Sequence, residues 1–249
     1  MRSICVIPAR FGSQRLPGKP LVEICGKPLI QHVWERVRMA HRVNAVLVAT
    51  DDQRIADVVH AFGGQAVMTS PDCASGSDRV GEVIAERDEQ IVINVQGDEP
   101  LIDPRAIERL IEEFKLDPNL EMATLARPLE IRDVANPNAV KVVCDNDDFA
   151  LYFSRSPIPY WRDAGKPGQK MPEYWHHVGV YAYRREVLLS FLSLPEGRLE
   201  KAEKLEQLRA LENGIWIKVL KGNWPCLGVD TPEDIKKVEA LLAKETDGD

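Results

Sequence analysis

Ser3-Ile4-Cys5-Val6-Ile7-Pro8-Ala9-Arg10-Phe11-Gly12-Ser13-Gln14-Arg15-Leu16-Pro17-Gly18-Lys19-Pro20 opens the chain with two chemistries in succession. The apolar run up to Pro8 reads as a buried strand, central in a sheet covered on both faces. The loop after it is rich in cations. Arg10, Arg15 and Lys19 supply charge, Ser13 supplies a hydroxyl among free amides, and Gly12 and Gly18 let the backbone pass close to a ligand. Open α/β sheets bind ligands at the carboxyl ends of parallel strands, where this loop would lie, and its composition suits a polyphosphate. A basic surface loop accounts for any one of these residues; the cluster as a whole points to an anion.

Outward from the loop, strand and helix patterns alternate. Pro28 starts a helix with Leu29, Ile30, Val33, Trp34 and Val37 on one side, and Ala45-Val46-Leu47-Val48-Ala49-Thr50 reads as the second buried strand, followed by Asp51-Asp52 as a helix cap. Ile55, Val58, Val59 and Phe62 stripe a helix closed by Gly63-Gly64, and residues 65–69 read as a strand. A helix marked by Val80, Val83 and Ile84 follows, capped by Ser77 or Asp78, then a strand at 91–95 and a helix seeded at Asp103-Pro104. Residues 121–126 read as a further strand. This order predicts a Rossmann-like α/β fold, a mostly parallel sheet with helices on both faces.

Between Asn136 and Tyr183 the pattern changes to short strands at 139–144, 149–153 and 178–183, separated by Pro- and Gly-rich links. A small β-rich lobe at 131–183 is therefore expected, with 1–130 and 184–249 forming the α/β domain. Residues 200–212 read as one helix, 215–220 as a strand. Thr231 as N-cap, Pro232 at the first turn and Asp234 three residues on approximate a capping box for the last helix, with Ile235, Val238 and Leu241 inward.

With 249 residues and 44% hydrophobic content, the chain can bury a full core. Its net charge of -7 argues against general nucleic-acid binding, because phosphate backbones attract basic surfaces. No run approaches the roughly 20 apolar residues of a membrane helix, and the first residues lack a signal-peptide apolar region, so a cytoplasmic protein is expected. The five cysteines are scattered and never spaced C-x-x-C, which predicts buried thiols rather than zinc ligands or disulfides.

Gln96-Gly97-Asp98-Glu99-Pro100 follows the strand at 91–95. A carboxylate there, beside a second acid, can hold Mg²⁺ through oxygen, although an isolated Asp at a strand end more often caps a helix or forms a turn. In Cys73-Ala74-Ser75-Gly76-Ser77-Asp78-Arg79 the small residues let a flat base approach the backbone, and Arg79 can reach over it. Capping accounts for Thr231 and Asp234 and leaves Asp230 unexplained.

Pro8-Ala9-Arg10, Ser13 and Arg15-Leu16-Pro17-Gly18-Lys19-Pro20 resemble the signature loop of the sugar nucleotidyltransferases, which join a nucleoside triphosphate to a sugar. The likeness continues in order through Gln96-Gly97-Asp98-Glu99-Pro100, Asn136-Pro137-Asn138-Ala139-Val140-Lys141, Tyr152-Phe153-Ser154-Arg155-Ser156-Pro157, His177-Val178-Gly179-Val180-Tyr181, Glu203-Lys204-Leu205-Glu206-Gln207-Leu208-Arg209 and Val229-Asp230-Thr231-Pro232-Glu233-Asp234. These motifs are similar to those of the members that act on the sugar acid 3-deoxy-D-manno-octulosonate (Kdo).

The resemblance implies the nucleotide-diphospho-sugar transferase type of fold and transfer of CMP from CTP to Kdo, with release of pyrophosphate, for lipopolysaccharide biosynthesis. It implies Mg²⁺ on Asp98 and Asp230, which with Lys19 and Arg10 form the catalytic set. Arg10, Ser13, Arg15, Lys19, Ala74, Ser75, Gly76 and Arg79 would hold the nucleotide. Gln96, Arg155, His177, Tyr181, Glu206 and Gln207 would hold the sugar acid, Arg155 pairing its carboxylate bidentately and His177 donating to a hydroxyl or that carboxylate. A homodimer through the small lobe is implied as well. Ser77-Asp78 departs from the commoner Thr-Glu of these enzymes. An 8-amino analogue of Kdo as substrate and a non-catalytic nucleotide-binding regulator are the alternatives. A dinucleotide oxidoreductase is disfavoured because the loop has no G-x-G-x-x-G.

Overall fold

The computed structural model describes residues 1–12, 16–164, 166 and 171–246. The chain divides into two units, Met1–Leu116 with Pro225–Asp249, and Asp117–Trp224. The lobe expected at 131–183 is part of the second unit, which also takes in 117–130 and 184–224.

In the first unit the elements run β1 (Ser3–Ala9), β2 (Glu23–Ile24), β3 (Lys27–Pro28), α1 (Leu29–Arg38), β4 (Ala45–Thr50), α2 (Gln53–Ala61), β5 (Ala66–Met68), α3 (Gly76–Ala85), β6 (Ile91–Asn94) and α4 (Pro104–Leu116). β6, β1, β4 and β5 lie side by side and all pair in parallel, with Val6 opposite Leu47 on one side and Asn94 on the other. All seven residues of β1 are buried, as its uninterrupted apolar run requires of a strand covered on both faces.

The strand continues past Pro8. Val6 O accepts from Val95 N at 3.3 Å, so the even-numbered residues of β1 turn their backbone groups toward β6. Pro8's missing N–H therefore falls on the side where β6 pairing has already stopped at Asn94. Asp52 alone caps α2, its Oδ1 accepting from Arg54 N at 3.0 Å. Ser75, not Ser77 or Asp78, caps α3: its Oγ accepts from Asp78 N at 3.1 Å while Asp78 Oδ2 accepts from Ser75 N at 2.8 Å.

The second unit adds β7 (Met122–Pro128), β8 (Lys141–Cys144), β9 (Ala150–Ser154), β10 (Trp175–Arg184), α5 (Arg185–Ser193), α6 (Arg198–Glu203), α7 (Gln207–Glu212) and β11 (Ile217–Lys221). β7 pairs in parallel with β11 and antiparallel with β10; β8 then joins β10 to β9, both pairings antiparallel. Because β7 finds its partners here, residues 117–130 belong with this unit.

The single helix expected at 200–212 is broken. Lys204 takes a left-handed conformation, φ 53 and ψ 49, and ends α6 before α7 begins. The Glu203 and Lys204 carbonyls, which a continuous helix would turn toward the amides of residues 207 and 208, instead accept from Arg155 Nε at 2.7 Å and Nη2 at 3.4 Å.

The chain then returns to the first unit and ends in α8 (Pro232–Thr246). Val229 and Val238 are fully buried with Ile24, Leu29 and Leu101, and Ile235 and Leu242 pack against them. Leu242 takes the inward place expected of Leu241, which is 41% exposed. Among the described residues no helix is long and apolar enough to cross a membrane. All five cysteines are free thiols, but only Cys5 is buried as expected; Cys25 is exposed and Cys73, Cys144 and Cys226 are half-buried.

Candidate active site

The first unit holds a cavity of about 490 Å³ at the carboxyl ends of β1 and β6. Its wall begins where β1 ends, at Pro8, Ala9 and Arg10, and includes Lys19 and Pro20 from the far end of the loop. The loop is closed at its base: Gly18 N donates to Phe11 O at 3.1 Å, and a Cβ on Gly18, at φ 69, would lie 3.1 Å from the Phe11 ring. The Arg54 guanidinium covers that ring at 3.5 Å and is itself held by Asp52 at 2.9 and 2.6 Å. Ser13 and Arg15 lie outside the described residues.

Lys19 and the two acids form the centre. Gly97 can follow β6 only without a side chain, because a Cβ there would lie 2.8 Å from Pro8 O. This close approach delivers Asp98 beside the loop. Asp230 arrives from the other end of the chain, where Val229 N donates to Asp98 O at 2.9 Å.

Asp234, in the first turn of α8, fixes the Asp230 segment. Its Oδ2 accepts from Asp230 N at 3.3 Å, Thr231 N at 3.0 Å and Thr231 Oγ1 at 2.9 Å. The Thr231 hydroxyl thus donates to the carboxylate instead of accepting from the Asp234 amide, which donates to Thr231 O at 3.1 Å, and the expected box is only half formed. Lys19 Nζ then meets Asp98 Oδ2 at 2.5 Å and Asp230 Oδ1 at 3.1 Å. Burial works against the Lys19 charge, but attraction and hydrogen bonds from the two carboxylates outweigh it and hold the ammonium above its ordinary value.

Opposite these charges stands the N-terminus of α3, with Ala74, Ser75 and Gly76 on the cavity wall. The Ser75 hydroxyl is committed to the cap, so its backbone is what faces a ligand. Arg79 also lines the cavity, yet it is 3% exposed and tied down. Nη2 meets Asp51 at 2.8 Å, and Nη1 donates to Thr69 Oγ1 and to Ser70 O at 3.3 Å. Asp51 was expected to share a capping role; with Asp52 sufficient for the cap, it was free to fix this arginine instead.

Gln96 lines the same cavity, its Nε2 donating to Asn94 Oδ1 at 3.2 Å. Cys73 is a wall residue that the sequence did not single out. Its thiol donates to Glu82 Oε2 at 3.2 Å, and burial, helped by that bond, pushes it up to about 11, a protonated and unreactive group.

Arg155, His177, Tyr181, Glu206 and Gln207 belong to the second unit. Thr124 Oγ1 donates to Val180 O at 2.8 Å, which leaves its oxygen to accept from His177 Nε2 at 3.0 Å. That network fixes the tautomer with hydrogen on Nε2 and Nδ1 bare. Burial drives the ring down to about 3, with the neighbouring His176 adding to the shift, so it is neutral at pH 7. The expected donor is therefore used within the protein, and what His177 offers is an acceptor.

The Tyr181 ring lies 5.3 Å from His177, and its hydroxyl is held well above the ordinary value by burial and by the Glu206 charge. Glu206 occupies the N-cap position of α7. Gln207 is 4% exposed, and among the described residues its Nε2 finds no partner. An orphaned buried donor in this corner is suited to a ligand oxygen. Arg155 donates to Glu203 O, Lys204 O and, at 2.9 Å, Pro137 O. Among the described residues three of its five N–H groups are thus engaged, which leaves two for an anion.

A cytidylyltransferase family model matches residues 4–221. The chain is 50% identical to the 3-deoxy-manno-octulosonate cytidylyltransferase of Trichlorobacter lovleyi, over 97% of this chain and 99% of that one. It is 51% identical to the 8-amino-3,8-dideoxy-manno-octulosonate cytidylyltransferase of Shewanella sp. strain ANA-3, over 98% and 99%. Among solved structures, a CMP:2-keto-3-deoxy-manno-octonic acid synthetase complexed with CTP superposes with a TM-score of 0.93 at 50% identity, covering 98% of this chain and all of that one. A putative glucose-1-phosphate thymidylyltransferase from Bacillus anthracis, TM-score 0.68 at 15% identity, shares the fold.

Proposed function

This chain belongs to the cytidylyltransferase family, and from that premise we propose that it transfers CMP from CTP to Kdo and releases pyrophosphate. The observation that carries the reading is the convergence of Asp98 and Asp230 on Lys19 in a cavity edged by Arg10 and the N-terminus of α3. Opposite charges meet there in the arrangement that a metal-bound triphosphate needs.

The anomeric hydroxyl of the sugar acid attacks the α-phosphorus in line, forming the new O–P bond as the bond to pyrophosphate breaks. Arg10 and Lys19 offset the triphosphate charge as it redistributes toward the leaving group. Backbone at Ala74, Ser75 and Gly76 holds the cytosine ring, with Arg79 fixed beside it; Ser13 and Arg15 complete the nucleotide set. In the sugar-acid set, two free N–H groups of Arg155 take the carboxylate. Gln207 Nε2 donates to a hydroxyl, and His177 Nδ1 accepts from one. Tyr181 and Glu206 bind further oxygens, and Gln96 is assigned to the sugar acid as well.

Asp98 and Asp230 fit Mg²⁺ in donor type: two hard carboxylates, exposed enough for the ion to keep water and take phosphate oxygens. Among the described residues no group of three or more His, Cys, Asp or Glu could enclose an ion. When bound, Mg²⁺ supplies charge neutralisation at the α-phosphate and lowers the pKa of a nearby hydroxyl.

Relatives named for the 8-amino sugar match at 51% identity, so that analogue is the second reading. The test follows pyrophosphate release from CTP and Mg²⁺ with Kdo, 8-amino-Kdo and other sugar acids, with UTP and ATP as controls. Release with CTP and Kdo alone supports the reading; preference for the 8-amino sugar selects the alternative, and release independent of any sugar acid sinks both. The reading includes a cytoplasmic homodimer feeding lipopolysaccharide biosynthesis; sedimentation at the 28.0 kDa of a single chain would count against the dimer.

A further inference from the structure

Lys141 is fully buried, a costly place for an ammonium unless its protons are met. It stands on β8 opposite Ser154 of β9. Its Nζ donates to Arg155 O at 2.5 Å and to Asn136 O at 3.0 Å. Burial holds its charge below the ordinary lysine value, with the Glu203 carboxylate pulling it partly back.

Glu203, the last residue of α6, grips the same strand end from the other side. Its Oε1 accepts from Ser154 Oγ at 2.6 Å and its Oε2 from Arg155 N at 2.9 Å, while its carbonyl takes Arg155 Nε. Arg155 is therefore clamped at its amide, its carbonyl and its guanidinium by two residues distant in sequence. Glu203 also abuts the left-handed Lys204 that turns the chain into Glu206 and Gln207.

Hydrophobic packing alone does not call for this pair, since an apolar side chain would fill the Lys141 site without the desolvation cost. Its effect is to fix the rotamer and backbone of one arginine relative to one helix corner. A group held in its binding geometry before the ligand arrives loses less freedom on binding.

Resting on the reading that Arg155 takes the sugar-acid carboxylate, we infer that Lys141 and Glu203 are positioning residues for sugar-acid binding, holding Arg155 and the Glu206–Gln207 corner in register. They touch no substrate; they act through Arg155.

The test measures KM for Kdo, KM for CTP and kcat for Glu203→Ala, Lys141→Met and Arg155→Gln, and a double-mutant cycle between positions 203 and 155. Each single variant raises the Kdo KM by about tenfold or more, the size of a lost charge-assisted hydrogen bond, and leaves the CTP KM within about twofold. In the Arg155→Gln background, Glu203→Ala adds little, because the group it positioned is gone. Equal losses for both substrates, or effects that multiply in the double variant, overturn the inference in favour of a purely structural role. If Arg155→Gln raises the Kdo KM while Glu203→Ala does not, the inference alone fails. If Arg155→Gln leaves it unchanged, the sugar-acid reading of Arg155 fails first and the inference with it. Should Lys141→Met not fold, Glu203→Ala, at a partly exposed site, decides.

Discussion

At the scale of single residues, what the sequence could not convey is how each polar group divides its hydrogen bonds. Asp98, Asp230 and Lys19 were each recognisable as charge near a phosphate site, but their shared contact spans the chain and emerges only on folding. His177 was expected to donate, and Thr124, which carries no motif, consumes that donor. Gln207 shows the opposite case, a buried amide with Nε2 left over. Leaving such a donor unmet destabilises a fold by roughly 1–3 kcal/mol. Gln207→Leu should therefore leave the thermal midpoint unchanged or raise it, while the KM for Kdo rises about tenfold. A lowered midpoint with unchanged KM would show that the amide serves packing.

At the scale of elements, the apolar patterns carried most of the fold. β1, β4 and β6 were legible because their residues are buried in nearly unbroken runs, β1 above all, whereas the two-residue strands β2 and β3 carry no such run and went unread. The errors fall where tertiary contacts override local preference. Residues 200–212 have strong helix formers throughout, yet Arg155, far back in the sequence, draws off two carbonyls and the helix breaks at Lys204. The unit boundary was misplaced for a related reason: nothing within residues 121–126 tells which strands they will join. Gly97 was read only as part of the motif before Asp98, and its necessity is steric, since a Cβ would press on the Pro8 carbonyl at 2.8 Å. Gly97→Ala should cost about 1–3 kcal/mol of stability by overpacking and lower turnover by shifting Asp98. Chemical denaturation with activity alongside checks this, and a wild-type result in both would mean the two segments part without penalty.

At the scale of the whole molecule, stability should depend on acid through its buried rings. His176 and His177 are held at about 4 and about 3, chiefly by burial, against an ordinary 6.5. With folded values depressed, the unfolded chain binds protons first as pH falls through 6.5, so stability is full above that value and declines toward pH 4. Below this the carboxylates of Asp103 and Asp234, held low by hydrogen bonds that outweigh burial, add to the loss. Urea unfolding at pH 7.5, 5.5 and 4.5 should show the decline, with His177→Gln reducing its slope by up to one proton. A flat profile would place water beside these rings.

The central claim is that two acids 132 positions apart in the sequence, Asp98 and Asp230, serve one phosphoryl-transfer site. Pyrophosphate release from CTP and Kdo, measured for Asp98→Asn and Asp230→Asn beside their melting curves, tests it most directly. Both variants should fold as the parent does and lose at least about a hundredfold in turnover, the scale of removing a charge-stabilising group. Near-normal release by either one would contradict the account.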